Sequence, residues 1–129
     1  MARAQSVELG GGTVLYRGLR EWLQRVEDMG ELVRINGAHW DKEMGSLTQM
    51  LTESARGTAP AILFDEIPDY PNGYRTLYGQ FSTVKRVALT LGLPLELERN
   101  VDIVQLYHER MQHMDLMPPR VVPRVSKTR

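Results

Sequence analysis

The sequence predicts an α+β fold, a small mixed β-sheet of about three strands covered by about four helices in a single domain. Apolar residues recur at helical spacing in four separate stretches. Between them lie short runs of branched residues bounded by Gly, Pro and Asn. The resulting order is helix, strand, helix, strand, strand, helix, helix, which suits one helix-covered sheet. A chain of 129 residues is one domain by length.

Residues 1–15 read as a flexible N-terminal segment, 16–117 as the folded domain and 118–129 as a basic C-terminal tail. Gly10-Gly11-Gly12 has no side chain to pack, and no phosphate-loop pattern surrounds it. The first helix is expected from about Arg17 to Met29. Leu19, Trp22, Leu23, Val26 and Met29 share its stripe, and Gly30 is placed to end it. Glu31 to Ile35 reads as a strand broken by Asn36-Gly37. A second helix covers about Glu43 to Ala55, with Met44, Leu47, Met50 and Leu51 on its apolar side and Gly57 as its stop.

Ala61 to Phe64 is a continuous apolar run, the pattern of a strand covered on both faces. Asn72-Gly73 signals a turn, and Tyr74 to Tyr78 is the expected antiparallel return. A third helix covers about Thr83 to Leu91. Ser82 is its expected N-cap, and Val84, Val87, Ala88 and Leu91 are its expected buried face. Gly92 and Pro94 end it. A fourth covers about Val101 to Met114, capped by Asn100, with Val104, Tyr107, Met111 and Met114 on one face.

Composition excludes several classes. Cysteine is absent, so there are neither disulfides nor thiolate metal sites. A reducing, cytoplasmic location is compatible with that. No apolar run reaches membrane-spanning length, and Met1–Gly12 lacks the apolar core of a secretion signal. The net charge is zero, against a general nucleic-acid binder. The charge is uneven, however. Of sixteen bases, Arg120, Arg124, Lys127 and Arg129 lie in an acid-free tail, leaving twelve against sixteen acids before it. The tail is either a solvated end or a docking strand for an acidic partner.

Candidates for chemistry do not assemble. His108 and His113 are five apart on the fourth helix, about 140° around its axis, whereas metal pairs prefer a spacing of four. His39 sits in a loop beside Trp40 and Asp41. Asp65, Glu66 and Asp69 flank a proline turn, where acids commonly face water; as a catalytic pair they would have to share one pocket. Glu21 and Arg25 are a possible i,i+4 pair. Lys85, beside Arg86, reads as a surface lysine. Seven methionines are many for this length. Met111, Met114 and Met117 with Leu116 are either gap-filling core or a soft surface for another subunit.

Leu19-Arg20-Glu21-Trp22-Leu23 leads through Gly30 into Glu31-Leu32-Val33-Arg34-Ile35. Trp40-Asp41 with Glu43-Met44-Gly45 follows, then Ala61 to Ile67, Asp69-Tyr70-Pro71, and Arg86 to Leu93. Together these segments resemble the N-terminal domain of the UbiD family of prenylated-flavin-dependent decarboxylases. The resemblance covers about Tyr16 to Pro119. Asp65-Glu66 stands where that family usually has a Glu-Asn-type pair, and Gln80 near a frequent Asn.

The resemblance implies decarboxylation or carboxylation of aromatic or α,β-unsaturated acids. It implies prenylated FMN, Mn²⁺ and K⁺ on a central barrel domain beyond the matching region. No catalytic, cofactor or metal residue is therefore expected in this chain. Its expected role is an accessory subunit that binds a large catalytic UbiD-like subunit. The expected interface is Tyr107, Met111, Met114, Leu116, Met117, Arg120 and Arg124, where the longer enzymes continue into the barrel. A fragment of a full-length enzyme and a free-standing small-molecule binding or regulatory module remain the alternatives.

Overall fold

The computed structural model describes residues 7–9, 12–115 and 117–121. Strands β1 (Val7–Leu9) and β2 (Gly12–Val14) pair antiparallel, Val7 opposite Val14. The main body follows as α1 (Leu19–Asp28), β3 (Leu32–Asn36), α2 (Met44–Ser54), β4 (Ala61–Asp65), β5 (Thr76–Tyr78), α3 (Val84–Leu91) and α4 (Asn100–Gln112). The β1–β2 pair falls within the segment read as flexible. Sequence reading passed over it because three-residue strands beside a glycine run carry almost no periodicity.

The main sheet has the order β3-β4-β5. β3 and β4 run parallel, Leu32 opposite Ala61, and α2 is the crossover that parallel pairing requires. β5 returns antiparallel to β4, with Leu63 opposite Leu77. The central position of β4 explains its unbroken apolar run, since Ala61 to Phe64 are all buried. Ile62 and Phe64 pack with Met44, Ala38 and Ile67 on the α2 side. Ala61 packs with Trp22, Val26 and Leu89 on the α1–α3 side. A third cluster, Ala88, Leu93 and Ile103, joins α3 to α4.

Helix ends follow local chemistry. Gly30 and Gly92 both adopt positive φ, 72° and 64°, past the ends of α1 and α3. The N-cap of α3 is Thr83, one residue after the expected Ser82. Thr83 holds extended backbone, and its hydroxyl accepts the Arg86 N–H. Arg99, and not Asn100, is the N-cap of α4; its guanidinium pairs with Asp102.

Four expected helix faces are corrected. On α1, Trp22 and Val26 are buried but Leu19 is exposed. On α2, Met50 points outward. On α3 the fully buried residues are Arg86, Ala88 and Leu89, with Val84, Val87 and Leu91 half-buried against α4. α3 is covered on two sides, so a one-stripe reading could not capture it. On α4 the buried residue is Ile103, with Leu106 beside it. Val104, Tyr107, Met111 and Met114 form the outer face.

Arg86 completes the interior. It is fully buried and bonds to the residues that lead into β3 and β4. One terminal nitrogen lies 3.1 Å from Glu31 Oε2, and the other donates to the Ala59 carbonyl at 2.5 Å. Burial pulls its pKa below the ordinary value, while the Glu31 carboxylate opposes that shift.

Candidate partner interface

The outer face of α4 is built by two competing apolar patterns on one helix. Ile103 and Leu106 turn toward α3, where Ala88, Val84 and Val87 receive them. The Arg110 guanidinium donates to the carbonyls of Leu91 and Gly92, the open end of α3. These contacts fix the rotation of the helix. Val101, Val104, Tyr107 and Met111 are then forced outward at spacings of three and four, Val104 66% and Met111 48% exposed. Met114, Met117 and Val121, past the helix end, are exposed as well. Contiguous apolar exposure of this kind marks an interaction surface.

Of the expected interface residues, Tyr107, Met111, Met114, Met117 and Arg120 are all solvent-exposed. Leu116 and Arg124 lie outside the described residues. Val101 was not among the expected set, although it sits three residues before Val104 on the same line.

A second apolar feature lies elsewhere. Tyr16, Leu19, Trp22, Leu77, Gln80, Phe81 and Thr90 line an open groove of about 410 Å³. Thr90 organises its walls. Its hydroxyl accepts the Trp22 indole N–H at 3.0 Å, and its carbonyl accepts the Tyr16 hydroxyl at 2.9 Å. The groove is not legible in the sequence because Leu19 on α1 and Phe81 in the β5–α3 connection are brought together only by packing.

The titratable candidates separate rather than converge. The Asp65 carboxylate accepts the Glu66 backbone N–H and pairs with Arg75 at 2.8 Å. Those contacts, the backbone one foremost, hold its pKa below the ordinary value. Asp69 instead lies 3.5 Å from His39 Nε2. His39 Nδ1 accepts the Asp41 N–H, and its ring stacks on Trp40. His108 contacts Gln112. Glu21 pairs with Arg17, not with Arg25. Lys85 is exposed. Among the described residues no group of three His, Asp or Glu side chains could hold a metal ion.

The fold and surface define a small α+β domain whose prominent chemical feature is an uncovered apolar helix face. Residues 23–105 match the 3-octaprenyl-4-hydroxybenzoate carboxy-lyase N-terminal domain, and the chain belongs to that family. Its fold is similar to part of the vanillic acid decarboxylase of Sedimentibacter hydroxybenzoicus in the open form. The likeness has a TM-score of 0.60 at 22% identity, over 72% of this chain and 20% of that one. A second open form of that enzyme, with truncated VdcD, gives a TM-score of 0.57 at 21% identity, over 69% of this chain and 19% of that one. The chain thus spans about a fifth of the length of the solved chains it matches. Among the described residues no helix is long and apolar enough to cross a membrane.

Proposed function

We propose that this chain is a non-catalytic accessory subunit of a heteromeric UbiD-type decarboxylase or carboxylase acting on aromatic or unsaturated carboxylic acids. The large subunit carries the catalytic residues and holds prenylated FMN, Mn²⁺ and K⁺. The observation that carries the reading is the outer face of α4. Val101, Val104, Tyr107 and Met111 stand in water on a helix that packs on α3 through Ile103 and Leu106. Family membership and the likeness to a decarboxylase component support the choice of partner.

A lasting complex needs an interface of at least about 1,000 Å² in total, with an apolar centre. The α4 face supplies such a centre, and its methionines adapt to an irregular partner surface. Co-expression with the UbiD-type large subunit of the same genome is the test. Co-elution as one heteromer is expected, and two separately eluting proteins overturn the proposal.

The fragment reading draws on one observation, the one-fifth coverage of the matched chains. Intact-mass measurement of the native gene product separates the two. A subunit has the mass of these 129 residues, and a fragment belongs to a polypeptide several times heavier.

A further inference from the structure

We infer that Met111, Met114 and Met117 form an oxidation site, where a hydroperoxide converts thioethers to sulfoxides and so blocks assembly with the large subunit. This rests on the accessory-subunit reading and adds to it a covalent modification that controls it.

The methionines of the described residues divide by access to water. Met44, at the start of α2, is 5% exposed and packs with Ile62 and Phe64. Met29 is half-buried against the Trp22 cluster. Met50, Met111, Met114 and Met117 are exposed. Three of these four lie together, Met111 on the outer face of α4 and the other two just past its C-terminal end. Met50 stands apart on α2 and serves as an internal contrast, since it is 67% exposed. The sequence has no cysteine to react first, so the thioethers are the peroxide-sensitive groups of this chain.

The sulfur lone pair attacks one peroxide oxygen, the O–O bond breaks, and that oxygen stays on sulfur. From hydrogen peroxide the second oxygen leaves as water. Sulfur loses two electrons and the peroxide gains them. A flexible apolar side chain thereby becomes polar and gains a hydrogen-bond acceptor. On the free chain the new oxygen stays hydrated, and the fold is undisturbed. At the apolar centre of an interface it would lose its water without a matching donor, which opposes binding. Assembly in turn covers the same sulfurs. The modification therefore acts on the free chain, before it meets its partner.

The full chain is treated with hydrogen peroxide, alone and bound to the purified UbiD-type large subunit. Peptide mass spectrometry locates the added oxygens, and circular dichroism follows the fold. In the free chain Met50, Met111, Met114 and Met117 are expected to oxidise before Met44. In the complex Met50 should still react while Met111 is protected. The oxidised chain, with its circular dichroism unchanged, is expected to bind the large subunit about tenfold more weakly. Met111→Leu, Met114→Leu and Met117→Leu combined should bind natively and ignore peroxide, because leucine keeps the volume without an oxidisable sulfur. Met50→Leu should remain sensitive. Native affinity in a chain carrying all three sulfoxides overturns the inference and leaves the subunit reading standing. So does a loss of binding that persists in the triple variant, or one that accompanies unfolding. Failure of the untreated chain to bind removes the accessory-subunit reading, and the inference with it.

Discussion

The Arg86 guanidinium meets the Glu31 carboxylate 3.1 Å away beneath the start of α3, with no part of Arg86 exposed. Thr83 joins them by donating its hydroxyl to the same Glu31 oxygen at 2.6 Å. Through Ala59 the arginine also holds the entry to β4. One side chain thus locks α3 to the starts of β3 and β4. Because α4 rests on α3, this lock also sets where the outward apolar face points.

Arg86→Ala should destabilise the fold by about 3 kcal/mol or more, since it strands a carboxylate and a buried carbonyl without their donor. Urea unfolding measures this through the midpoint at constant slope. A loss under about 1 kcal/mol would show that the lock is not structural.

Thr90→Val removes the acceptor of the Trp22 indole while nearly preserving volume. The expected cost is about 1–2 kcal/mol, the price of an unpaired buried donor. Trp22 emission should shift as its hydrogen bond is lost. An unchanged spectrum together with unchanged stability would contradict the geometry.

Met111→Asp and Tyr107→Ala alter exposed positions and should leave stability within about 0.5 kcal/mol. Both should weaken association with the large subunit, since truncating a central contact typically costs more than 1 kcal/mol of binding. Phe64→Ala serves as the converse control. It empties the core beside Ile62 and should cost about 3–5 kcal/mol of folding stability. Equal stability losses from the surface and core changes would refute this division.

Acid sensitivity should trace partly to Asp65. Its folded pKa lies below the ordinary 3.8 because the Glu66 N–H and then Arg75 favour the carboxylate. The unfolded chain therefore binds the proton first. The stabilisation is present above about pH 4 and is lost as pH falls through the lower folded value. Glu21, Glu27 and Asp102, each hydrogen-bonded to an arginine, contribute with the same sign. Asp65→Asn should flatten the stability profile below pH 4. A profile as steep as the native one would remove Asp65 from the account.

Much was fixed by the one-dimensional pattern. The run from Ala61 to Phe64 announced a strand covered on both sides, because only a central strand tolerates apolar residues at every position. Gly30 and Gly92 marked helix ends because both need positive φ. The order of elements from α1 to α4 also came from residue types and spacing.

Tertiary structure alone decided which side of α4 faces inward. α4 carries two apolar lines, Ile103 with Leu106 and Val104 with Tyr107 and Met111, and hydropathy cannot rank them. Packing on Ala88 and the Arg110 bonds to the end of α3 chose the first and exposed the second. The burial of Arg86 was equally hidden, because a charge becomes tolerable inside only when partners distant in sequence, here Glu31 and Ala59, arrive to satisfy it.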